Sequence, residues 1–170
     1  MALQVLIKTP KDAAVALDVA GRTLVSAHAQ LEAILQSRLG RNHGDLLATP
    51  RLQDDGSIHW CSGLAGTALP AAQLADDERA TLERRAERLR GDIAGLAQQL
   101  QGEGAASQVV AQMLREALRT PPGAWLFSVG GKPVTAMWGH AEGASAASSA
   151  APIVAPTAGA ASAAPAAAAA

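Results

Sequence analysis

The stretch Leu82-Glu-Arg-Arg-Ala-Glu-Arg-Leu-Arg-Gly-Asp-Ile-Ala-Gly-Leu-Ala-Gln-Gln-Leu100 places Leu82, Ala86, Leu89, Ile93, Leu96 and Leu100 at successive spacings of four, three, four, three and four. This is the period of a helix that packs one apolar stripe against another helix. Asp76, Asp77 and Glu78 precede the seam, where acidic groups complement the positive end of the helix dipole, and Gly102 and Gly104 follow it. The pattern predicts a helix over 75–101. A second helix is predicted from Ser107 to Arg119, with Val109, Val110, Met113, Leu114, Ala117 and Leu118 on one side, stopped by Pro121-Pro122. The short Gly-rich link between them makes the two an antiparallel pair. Because helix 75–101 is longer than a small core needs, part of its seam is expected to meet a second chain or a partner helix.

Toward the C-terminus, Trp125-Leu-Phe-Ser-Val-Gly-Gly-Lys-Pro-Val-Thr-Ala-Met-Trp138 is a hairpin with Gly130-Gly131 at the turn, setting Val129 opposite Lys132 and Phe127 opposite Val134. Pro133 lacks an amide hydrogen, so its arm is expected to lie at a sheet edge or to direct that position away from the ladder. Of the residues 141–170, 17 are Ala and Glu142 is the only charged one, a linker composition. Toward the N-terminus, Asp54-Asp-Gly56 marks the turn of a second hairpin with arms near Thr49–Gln53 and Ser57–Cys61. Gly63, Gly66 and Pro70 read as loop. From Gly21 to Leu39 the apolar residues recur with helical spacing up to Gly40, the stretch from Asn42 to Pro50 is turn-rich, and the first eight residues read as a strand. The sum is an α+β fold over 1–140. Two or three helices, including the antiparallel pair, pack on a small antiparallel sheet of hairpins, followed by a disordered tail over 141–170.

Composition narrows the function classes. Alanine supplies 41 of the 170 residues, so the 49% hydrophobic share overstates the core-forming material. A net charge of −1 gives no chain-wide positive field for nucleic acid or anionic lipid. The N-terminus lacks the features of a signal peptide, and no window makes a good membrane span. The single cysteine excludes a disulfide framework within the chain and suits the cytoplasm.

The chemistry-bearing residues are few. Cys61 with His59 and His43 is a candidate metal or thiol site, although no paired CxxC or HxxxH spacing accompanies it. Arg84, Arg85, Arg88 and Arg90 could contact phosphates, but interleaved Glu83 and Glu87 favour a solvated face with pairs such as Arg84–Glu87 and Arg88–Asp92. Gly130-Gly131-Lys132 is not a phosphate loop, because Pro133 follows and a strand pattern resumes. Asp54 and Asp55 are explained by turn hydrogen bonding. No cofactor and no catalytic residue is expected. The tryptophans read chiefly as core, with Trp138, beside Gly139 and the tail, also a candidate anchor for a partner.

The segments Leu24-Val-Ser-Ala-His-Ala-Gln-Leu31, Leu39-Gly40, Asp45-Leu-Leu-Ala-Thr-Pro50, Ile58-His-Trp-Cys61 and Gly131-Lys-Pro-Val-Thr-Ala-Met-Trp-Gly-His140, taken in order, resemble the N-terminal module of bacterial SrfA-like proteins, a family described as virulence factors. The resemblance implies a helical and hairpin-bearing module ahead of a Pro- and Ala-rich spacer, encoded beside other Srf-type components. It further implies more protein beyond Ala170, a membrane segment included; a 170-residue protein whose tail simply ends is the alternative. It assigns no residue a role. The expected function is a non-enzymatic adaptor or structural component of a bacterial multi-protein system. Its expected interface is Leu82, Leu89, Ile93, Leu96, Leu100 and Trp138. The expected partners are products of neighbouring genes or a second copy of the chain.

Overall fold

The structure is a computed structural model and describes residues 2–121, 123 and 125–142. Its elements run β1 (Gln4–Thr9), β2 (Val15–Ala16), β3 (Asp18–Val19), β4 (Arg22–Thr23), α1 (His28–Arg38), α2 (Arg41–Asp45), β5 (Thr49–Leu52), β6 (Ile58–Ser62) and β7 (Ala68–Pro70). There follow α3 (Asp76–Leu100), α4 (Ala105–Ala117), β8 (Leu126–Val129), β9 (Lys132–Thr135) and β10 (His140–Ala141). The fold is α+β, with small antiparallel sheets and the α3–α4 pair.

The two hairpins form as their turns dictate. Val129 pairs with Lys132 and Phe127 with Val134 around Gly130 and Gly131, whose φ values of 56° and 79° are those of a two-residue hairpin turn. β9, with Pro133, is the edge of the sheet β7-β8-β9. In the other sheet, β6 lies between β1 and β5, with Trp60 opposite Ile7 on one side and Pro50 on the other. The sheets are tied through backbone bonds: the Thr135 amide donates to the Leu46 carbonyl at 2.7 Å, and the Ala48 amide donates to the Thr135 carbonyl at 3.0 Å.

At the centre a row of rings joins the sheets to α1. Trp60 and Trp138 are both fully buried, with centroids 5.9 Å apart and planes at 75°. His28 of α1 lies 5.6 Å from Trp138, and His140 lies 5.5 Å from Trp60. Each indole N–H is satisfied: Trp60 donates to the Thr9 hydroxyl at 3.0 Å, and Trp138 donates to the Ala48 carbonyl at 2.7 Å. Trp138 is therefore a core residue, and its expected role as an exposed anchor is corrected.

The leucine seam is corrected in the same way. Leu82, Leu96 and Leu100 are each 4% exposed and Ile93 is wholly buried, while Leu89 is half-buried against the same core. α4 covers the C-terminal part of the seam: its buried Ala111, Met113, Leu114 and Ala117 share one core with Ile93, Leu96 and Leu100, and Leu82 stands outside it. The length of α3 is thus used within the chain. Four α-helices are present among the described residues rather than two or three. Arg41–Asp45, read as turn, is a short helix, and Arg22–Thr23, read as helix, forms a ribbon with β3 before a 3-10 turn leads into α1 at His28. β7 arises where loop is expected, because Ala68 to Pro70 pair with the distant β8. The tail beyond Glu142 lies outside the described residues.

Candidate docking cleft

With its leucine stripe turned inward, α3 leaves a second stripe outward. Asp77, Thr81, Arg84 and Arg88 recur at helical spacing, and with Glu78 and Arg85 they form one wall of an open cleft of about 650 Å³. The opposite wall is the sheet: Leu69 of β7 and Ser128 of β8 face each other across the strands, and both line the cleft. Leu69 and Leu74 supply its apolar surface, Leu69 being 39% exposed, while Leu82, 4% exposed, only borders it. The volume falls within the range of sites that hold a small molecule or a few side chains.

The rim is set by two glycines. A Cβ on Gly130 would sit 2.5 Å from the Ala65 carbonyl oxygen, and a Cβ on Gly66 would sit 2.7 Å from the Gly130 Cα. Both have positive φ, so the loop before β7 and the β8–β9 turn close backbone against backbone. The Arg85 guanidinium donates to the Gly131 carbonyl at 3.2 Å and joins helix to turn.

The arginines are not paired as their spacing predicts. Asp92 accepts from His43 at 2.9 Å, and no carboxylate lies within 4.0 Å of Arg84, Arg85 or Arg88 among the described residues. Arg84 donates to the Thr81 hydroxyl at 3.1 Å. Arg90 belongs to the other flank of α3, where its guanidinium donates to the Leu118 carbonyl. The four arginines therefore do not form one patch. Three face the cleft, and one clamps the end of α4.

The candidate site of Cys61, His59 and His43 does not assemble: among the described residues, no group of three His, Cys, Asp or Glu side chains is placed to hold a metal ion. Cys61 is 1% exposed, and burial pushes its thiol pKa up against the opposing pull of Arg51, which keeps it protonated. Its Sγ lies 3.7 Å from the His59 carbonyl, a backbone partner rather than an imidazole. His43 sits on α2 against α3. Asp55 is held below the ordinary carboxylate range by its hydrogen bonds from Ser57, whose amide donates to Oδ1 at 2.8 Å, as the turn chemistry predicts. Lys132 begins β9 and lies 3.7 Å from Asp45 rather than in a phosphate loop.

Sequence reasoning found the arginines of the cleft but not their counterparts. Thr67, Leu69, Ser128 and the Gly130–Gly131 turn reach the cleft through the pairing of β7 with β8, which links residues roughly 60 apart and leaves no local pattern. No described helix is long and apolar enough to cross a membrane. No family model, curated protein or solved structure matches the chain.

Proposed function

We propose that the chain is a non-enzymatic adaptor of a bacterial multi-protein system and holds a protein partner in the cleft between α3 and the β7-β8-β9 sheet. The setting in the cytoplasm is argued from the single cysteine, and the company of virulence-associated components from the SrfA-like resemblance. One observation carries the reading: Arg84, Arg85 and Arg88, with no carboxylate within 4.0 Å among the described residues, line one cleft with the apolar side chains of Leu69 and Leu74. Guanidinium groups and leucines in one cleft are suited to an interface, where arginine is enriched and an apolar centre lies inside a polar rim. Of the seam first expected to bind the partner, Ile93, Leu96 and Leu100 are packed with α4, and only Leu82 borders the cleft.

The test is photo-crosslinking in the native cell. A photoreactive amino acid at position 81, in the cleft, should trap one identified protein, whereas the same group at position 98, far along α3, should not. Charge reversal at Arg84 and Arg88 should abolish the adduct. Equal trapping at both positions, or no adduct at position 81, overturns the reading.

A further inference from the structure

We infer that the segment received by the cleft is a short acidic peptide with an apolar anchor, its carboxylates on Arg84 and Arg88 and its anchor on Leu69 and Leu74. This rests on the docking reading above and adds the chemistry of the partner. The charge layout supports it. Arg84, Arg85 and Arg88 lie at one end of the α3 wall, and Asp77 and Glu78 lie at the other. Such a cleft is polar along its length: it draws carboxylates to one end and repels them from the other. Arginine presents a planar fork that matches a carboxylate with two parallel hydrogen bonds, and among the described residues no carboxylate lies within 4.0 Å of the guanidinium groups of Arg84 and Arg88.

The same layout disfavours the other occupants. A nucleic acid carries uniform negative charge and would run its phosphates into Asp77 and Glu78. Among the described residues, none that lines the cleft is an aromatic on which an unpaired base could stack. Residues 143–170 of this chain contain no charged side chain, so they cannot complement the arginines. The leucines that line the cleft call for an apolar side chain, which a peptide supplies and inorganic phosphate does not.

Fluorescence anisotropy with the intact chain tests the inference. The probe is a fluorescein-labelled peptide carrying a leucine–phenylalanine pair followed by a run of glutamates. It should bind saturably and more weakly as salt rises, since exposed charge pairs are screened. R84E combined with R88E should weaken binding about tenfold or more, and Leu69→Ser several-fold. Both changes lie on exposed side chains, and thermal melts would verify that the fold is retained. The inference is overturned if the lysine version of the peptide binds equally well or if charge reversal leaves the affinity unchanged. It is also overturned if a single-stranded oligonucleotide binds with the same arginine dependence, or if light scattering shows that a second copy fills the cleft. If the acidic peptide fails while position 81 still traps a partner, this inference falls alone and the adaptor reading stands. If both fail, both fall.

Discussion

Trp138 and Trp125 lie thirteen positions apart in sequence and differ in what a conservative change should cost. Trp138 is wholly buried between Trp60 and His28, and its N–H donates to the Ala48 carbonyl. Trp138→Phe removes ring volume and leaves that carbonyl unpaired, so a loss of about 2–4 kcal/mol is expected in urea denaturation. Trp125 is half-buried, and its N–H has no partner among the described residues. Trp125→Phe should therefore cost about 1 kcal/mol or less. A third position tests the backbone. Ala20 has φ of 53° in the two-residue turn Ala20–Gly21 that joins β3 to β4, a conformation alanine adopts reluctantly. Asn-Gly is the pair that such a turn favours, and Ala20→Asn should raise stability by about 0.5–1 kcal/mol. The turn was hidden in the sequence because Leu24, Ala27 and Leu31 begin a helical spacing whose true start lies beyond it. An apolar period marks a helix face, but its outermost members can belong to the entry turn.

Among the elements, α3 separates what was legible from what was not. Its existence and limits follow from periodicity and end chemistry alone, and the observed helix, Asp76–Leu100, falls within one residue of the expected 75–101. Which surface fills the seam cannot be read from the seam, because a leucine stripe is equally stable against a helix of the same chain or of another. A substitution distinguishes the two. Leu96 is 4% exposed within the chain, so Leu96→Ala should destabilise the fold by about 2–5 kcal/mol without changing the mass observed by light scattering. A dissociating dimer with unchanged monomer stability would restore the seam as an interface. The hairpin of β8 and β9 was legible to the residue, since Gly130-Gly131 sets the register locally. β7 was not, because three residues ending in Pro70 carry no period and gain their place from β8. The cleft inherits that division: its arginine wall lies on the legible helix, and its other wall joins the legible β8–β9 turn to the illegible β7.

At the scale of the whole molecule, the buried ring row couples folding to pH. His28 and His140 stand at its two ends, 7% and 3% exposed, and burial holds both imidazoles below the ordinary histidine range. The Glu32 carboxylate, 3.9 Å from His28, opposes the shift there, and the Trp138 carbonyl, 2.9 Å from His140 Nδ1, opposes it at the other end; burial wins at both. In the unfolded chain both histidines titrate near the ordinary value of about 6.5. As pH falls through that value the unfolded state takes up protons that the folded state refuses. Stability is then drawn down at up to about 1.4 kcal/mol per pH unit for each histidine, until pH reaches the folded values. Above about pH 7 both are neutral in both states, and the contribution is constant. Urea midpoints should therefore be level between pH 7 and 8 and fall as pH drops below about 6.5. Replacing both histidines by glutamine should lower the plateau, because the ring contacts at 5.5 and 5.6 Å are lost, and should flatten the acid slope. A wild-type profile that is level down to pH 5 would show that the two imidazoles charge without disturbing the row. The ring row would then be a looser core than its full burial of both tryptophans requires.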